Sequence, residues 1–108
     1  MIESCILVYI TRKGGNVIKH NTYFDGKVQS MGFNTDQGYA TLGVMESGKY
    51  TFSTSSEEHM VIVEGSMKVK LPGKEWQEFG KNEKFVVPKD KSFDIDAATE
   101  VGYICYYK

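Results

Sequence analysis

Residues 53–65, STSSEEHMVIVEG, set one carboxylate, Glu58, seven positions before Gly65 and just ahead of the apolar run Met60-Val61-Ile62-Val63. A carboxylate joined by two or three imidazoles would make an open site for iron, manganese, nickel or zinc. The chain has only two histidines, His20 and His59. His59 alternates with Glu58 along a strand, so the two cannot face one pocket, and the positions just upstream are Phe52, Ser53 and Thr54. No transition-metal site is expected, and His59 reads as a surface or rim residue.

The elements that must position these groups are short strands. Helical periodicity is hard to find, while β-branched and aromatic runs bounded by glycine recur along the chain, the rhythm of an all-β sandwich or barrel. The strands expected are Ile6–Thr11, Gly26–Gly32, Tyr39–Met45, Gly48–Ser53, Met60–Glu64, Ser66–Leu71, Lys84–Val87, Ser92–Asp96 and Val101–Tyr107. Alternation predicts Met67, Val69 and Leu71 on one face with Lys68 and Lys70 on the other. It likewise puts Phe93 and Ile95 inward, Asp94 and Asp96 outward. Residues 1–19 carry the only arginine, Arg12, and a Gly14-Gly15 link, and are expected as an N-terminal extension forming an extra edge strand on a domain spanning 20–108.

Composition narrows the function classes. A chain of 108 residues is about one domain. A net charge of -1 gives no field for gathering nucleic acid or anionic lipid. The run Cys5–Ile10 falls far short of the ~20 residues of a membrane helix and lacks the marks of a signal peptide. The cytoplasm is therefore the expected compartment, with Cys5 and Cys105 reduced and buried rather than bridged. Trp76 follows the Pro72-Gly73 turn and is expected in packing or an interface. Tyr103, Tyr106 and Tyr107 are expected on a barrel edge, which predicts a homodimer.

The acidic residue, apolar run and glycine of 58–65 resemble the first motif of a cupin jelly-roll barrel, and Gly80 to Phe93, centred on Pro88, resembles the second. A metal-binding cupin would carry histidine where Phe93 stands. The resemblance implies a single cupin-like β-barrel that has lost its metal ligands.

The stretches YFDGKVQSMGF (23–33), LGVMESGKYTFSTSSEE (42–58), VIVEGSMKVKLPGKEWQ (61–77) and FVVPKDKSFDI (85–95), closing with YICYY (103–107), occur in order and resemble the small pyrimidine/purine nucleoside phosphorylases of the cupin superfamily. That resemblance implies phosphorolysis: nucleoside and inorganic phosphate give the free base and α-D-ribose 1-phosphate, with wide base tolerance, phosphate as co-substrate and no cofactor. It departs from the family pattern at residues 1–19 and at His59, where another acidic residue is frequent.

Phosphorolysis passes through an oxocarbenium-like ribose, so a carboxylate beside the ring and donors for phosphate would help. Glu58 fits the first role; it fits equally a hydrogen-bonded or lysine-paired carboxylate of the barrel wall. Lys27 is the cation best placed for phosphate, against a solvated strand lysine. Ser53 and Thr54 could donate hydroxyl hydrogen bonds to phosphate or ribose. Tyr50, Phe52 and Phe93 could form an apolar wall for a base, or be plain core. Two other classes stay open: a non-catalytic, metal-free cupin that binds a small polar ligand, and a dimerisation module with a vestigial pocket.

Overall fold

The computed structural model describes the backbone of Ile2–Ser4 and residues 18–108. Among these residues there are strands and no helix, in chain order β1 (Ile2–Ser4), β2 (Lys19–Tyr23), β3 (Val28–Thr35), β4 (Gly38–Met45), β5 (Gly48–Ser53), β6 (Glu58–Glu64), β7 (Met67–Lys70), β8 (Trp76–Phe79), β9 (Lys84–Val87), β10 (Ser92–Ala97) and β11 (Val101–Tyr107). The strand expected at Ile6–Thr11, and Cys5, lie outside the described residues.

Two sheets form the barrel. One has the order β1-β5-β10-β7-β8, the other β2-β3-β4-β11-β6-β9. Every pairing is antiparallel except that of β1 with β5. The all-β jelly-roll reading is borne out. So is the alternation: Met67, Val69 and Leu71 are buried, as are Phe93 and Ile95, while Asp94 and Asp96 turn away from the core.

Three expectations are corrected. The strand expected from Gly26 starts at Val28, because Phe24, Asp25 and Gly26 all have positive φ and fold a turn in which Gly26 N–H donates to Tyr23 O and Lys27 N–H to Phe24 O. Strands β2 and β8 were not expected: KHNTY and WQEF carry no apolar alternation, and each is paired on one side only. Tyr103 and Tyr107 are not edge residues. β11 lies between β4 and β6, so they point into the barrel, and only Tyr106 faces outward, half-buried.

The core is built from both inner faces. Phe52 stacks on Phe93 at 5.7 Å, and Phe85 and Phe24 add edge contacts to Phe93 and Phe52. On the six-stranded sheet two tyrosine rings lie flat over neighbouring strands, which requires glycine beneath them. A Cβ at Gly43 would stand 2.5 Å from Tyr103 Oη, and one at Gly32 would collide with the Tyr39 ring. Trp76 projects from the outer side of the edge strand β8 and is 46% exposed.

Candidate functional site

The inner face of the six-stranded sheet is organised in rows set by the register. From one end they are Val28, Met45 and Val101; then Ser30, Gly43, Tyr103 and Ile62; then Gly32, Thr41, Cys105, Met60 and Phe85; and last Tyr107, Glu58 and Val87. The final row consists of strand ends: Glu58 opens β6, Tyr107 closes β11 and Val87 closes β9. It therefore lies at one end of the barrel, covered by the segment 54–57 and the loop from Pro88 to Lys91.

Buried polar groups gather toward that end. Thr41, Thr54 and Glu58 are buried there, Glu58 with 0% of its surface exposed, while the fourth buried polar residue, Ser30, lies two rows away. Thr41 Oγ1 and Tyr107 Oη share a hydrogen bond of 3.0 Å, and the Tyr39 ring lies 6.2 Å from that of Tyr107. The Cys105 thiol donates to Glu58 Oε1 at 3.6 Å. Glu58 Oε2 has no hydrogen-bond partner among the described residues. No lysine or arginine pairs with Glu58 among them either, so burial pushes its carboxyl up to about 7, the Cys105 hydrogen bond pulling weakly the other way.

A buried polar atom without a partner is costly, and here it belongs to an ionisable group on the inner wall among hydroxyls. The arrangement can accept a hydrogen bond from a ligand hydroxyl at Oε2, and the ionised carboxylate can stabilise positive charge placed beside it. No three of His, Cys, Asp and Glu come together as a ligand set among the described residues. His59 points to the opposite side of β6 and pairs with Glu57, as alternation requires.

The other sequence-derived candidates lie apart from Glu58, and of them Lys27 and Tyr50 share a recess of about 290 Å³ with Phe24 and Lys49. Lys27 is exposed in the β2–β3 turn, beyond the Val28 row, with two further rows between that row and the one holding Glu58. Ser53 lies on the face of β5 opposite Phe52 and Thr54 and is only half-buried. The Thr54 hydroxyl is already engaged: it donates to Pro88 O at 2.6 Å and accepts from Lys91 N–H at 3.1 Å, tying down the 88–91 loop. Phe52 and Phe93 are packed face to face within the core. Tyr50 donates to Glu46 O at 2.7 Å; burial, with Glu46 nearby, raises its phenol above the ordinary range. Phe52 and Phe93 meet each other rather than an open wall, whereas Tyr50 lines the recess it shares with Lys27.

Thr41, Tyr39 and Tyr107 were missed as site residues. For Tyr39 and Thr41 the one signal is that in YATLGVM (39–45) Tyr39, Thr41 and Gly43 alternate with the apolar Leu42 and Val44, and it is the hydroxyl-bearing and small set that faces inward together with Met45; Tyr107 has no such signal.

The pyrimidine/purine nucleoside phosphorylase profile matches residues 18–107. The chain belongs to that family. A pyrimidine/purine nucleoside phosphorylase of Yersinia enterocolitica is 45% identical over 93 residues, covering 84% of this chain and 98% of the relative. Among solved structures, a protein of unknown function from Vibrio parahaemolyticus superposes with a TM-score of 0.82 at 38% identity, over 85% of this chain and 99% of that one. The Drosophila melanogaster CENP-C cupin domain superposes at 0.65 with 11% identity, over 84% and 75% of the two chains, a likeness of fold alone. The cupin-like reading of the barrel is thereby confirmed, and the family match begins at residue 18, one position before β2.

Proposed function

We propose that the chain catalyses phosphorolysis of purine and pyrimidine nucleosides to the free base and α-D-ribose 1-phosphate, with inorganic phosphate as co-substrate, no metal and no resident cofactor. The cytoplasm is the compartment this reading assigns. In the reaction the C1′–N bond breaks with its electron pair going to the base, which takes up a proton, and a phosphate oxygen forms the new bond to C1′. Positive charge builds on the ribose ring between those events.

The observation that carries the reading is Glu58: a fully buried carboxyl with one oxygen unpartnered among the described residues, near the Thr41 and Tyr107 hydroxyls at one end of the barrel, in a chain of this family. Its ionised form supplies the negative charge that a ribosyl cation needs, and its free oxygen can accept from a ribose hydroxyl. Recognition centred on the ribose leaves the base loosely specified, which fits action on both nucleoside classes. Thr41 and Tyr107 flank the carboxyl and orient the sugar. Phe52 and Phe93 hold the opposite wall in place.

Release of uracil from uridine and hypoxanthine from inosine, each strictly dependent on added phosphate, tests the proposal. Saturable binding of uridine with no release of base in phosphate would replace it with the ligand-binding reading.

A further inference from the structure

The two ends of β5 stand in different surroundings. Ser53 leads into the segment 54–57 that covers Glu58, while Gly48 and Lys49 lie beside the β2–β3 turn. Six residues at ~3.3 Å each put those ends about 17 Å apart. At the Gly48 end two recesses open side by side. One, of about 290 Å³, has Phe24, Asp25, Lys27, Ser47, Lys49 and Tyr50 in its walls. The other, of about 430 Å³, shares Phe24, Lys49 and Tyr50 with it and continues to Thr51, Asp94 and Trp76. The three common residues make them one groove, of the size that small-molecule sites have.

The backbone around the groove is fixed. Lys27 N–H donates to Phe24 O at 3.1 Å and Lys27 O accepts from Glu46 N–H at 2.8 Å, which joins the β2–β3 turn to the end of β4. Tyr50 Oη donates to Glu46 O at 2.7 Å and ties β5 into the same junction. Phe24 and Asp25 hold positive φ, a strained conformation for residues that carry a Cβ, and the Phe24 ring meets that of Tyr50 edge-on at 5.1 Å.

These walls suit one kind of ligand. Lys27 and Lys49 enter no ion pair among the described residues, and Asp25 is the one carboxylate set against them in the first recess. Two ammonium groups, with the Ser47 hydroxyl as a further donor, match a phosphomonoester. In the second recess Trp76, 46% exposed, and Phe24 offer ring surface on which an aromatic ring stacks without regard to its substituents. Asp94 Oδ1 accepts from the Thr51 hydroxyl at 2.7 Å, which leaves Oδ2 to accept from a ligand hydroxyl.

We infer that this groove is a second ligand site, distinct from the Glu58 end of the barrel, and that it takes a nucleoside monophosphate: the phosphate between Lys27 and Lys49, the base against Trp76 and Phe24, the sugar hydroxyls toward Asp94. Binding there does not depend on the reaction proposed above.

Trp76 is the only tryptophan of the chain, so its fluorescence reports on the groove directly. Uridine and adenosine 5′-monophosphates are titrated beside uridine, ribose 5-phosphate and inorganic phosphate, with equilibrium dialysis as a second readout. The expected result is saturable quenching by both nucleotides, with half-saturation about tenfold or more below that of any compound carrying only one half of the ligand. Lys27→Glu and Lys49→Glu should each weaken nucleotide binding about tenfold or more with unchanged far-UV circular dichroism. Glu58→Gln and Lys84→Glu, on β6 and β9, should bind as the parent does. Should one lysine variant at the groove fail to fold, the other carries the test. Four results overturn the inference: no nucleotide binding by either method, ribose 5-phosphate binding as tightly as the nucleotides, unaltered affinity in a folded Lys27→Glu or Lys49→Glu variant, or loss of binding in folded Glu58→Gln. Failure to release base from uridine in phosphate tells against the reaction alone and leaves this site standing.

Discussion

The Cys105 thiol and the Glu58 carboxyl meet at 3.6 Å across β11 and β6, one row apart on the inner face of the barrel. The thiol is a weak donor and no cation joins it among the described residues, so burial dominates and the carboxyl holds its proton to about pH 7 instead of 4.5.

Stability should fall as pH rises through that window. Below 4.5 both folded and unfolded chains carry the proton and stability is complete. Between 4.5 and 7 the unfolded chain ionises while the folded one does not, so stability declines, and above 7 the slope vanishes. The total drop is on the order of 3 kcal/mol at ~1.4 kcal/mol per pH unit. Urea unfolding of the parent and of Glu58→Gln across pH 4–8 isolates this contribution. Identical pH slopes in the two proteins would refute it.

Activity should run the other way. If the carboxylate form stabilises the ribosyl cation, kcat/KM rises with pH through an inflection near 7, and Glu58→Gln lowers kcat by about 100-fold or more while remaining folded. Uridine and inosine should lose equally, because the contact is with ribose. A folded Gln variant with kcat within about threefold of the parent sinks the catalytic role.

Thr54 separates a structural hydroxyl from a substrate-binding one. Its bonds to Pro88 O and Lys91 N–H anchor the 88–91 loop, so Thr54→Val should cost about 1–3 kcal/mol in stability and Thr54→Ser should restore most of it. KM for phosphate should not change in the folded Val variant. A rise of tenfold or more in that KM, with stability intact, would return Thr54 to the substrate site.

Gly43 lies under the Tyr103 ring, which is 1% exposed and has nowhere to move. Gly43→Ala should therefore destabilise by about 1–3 kcal/mol, the scale of an overpacked core. A melting temperature equal to the parent's would show that the ring yields.

Chelation should leave activity untouched, because one carboxylate and nearby hydroxyls do not make a transition-metal donor set. Loss of turnover in EDTA, restored by added zinc, iron or manganese, would reverse that.

The sequence by itself determined the all-β class, the inward sets Met67-Val69-Leu71 and Phe93-Ile95, the separation of His59 from Glu58, and the family. These follow from residue identity, a period of two, and motif order, all local properties. It left open which side of β4, β6 and β11 faces inward, because those strands are apolar on both sides: Leu42 and Val44 face out while Thr41 and Gly43 face in. Only the pairing of strands distant in sequence decided that. The same pairing brought Thr41 and Tyr107, 66 positions apart, into hydrogen-bond contact beside Glu58, and set Lys27 at the other end of the barrel. A hydroxyl is donor to loop or ligand according to what stands opposite it, and no spacing along one strand records what the next strand presents.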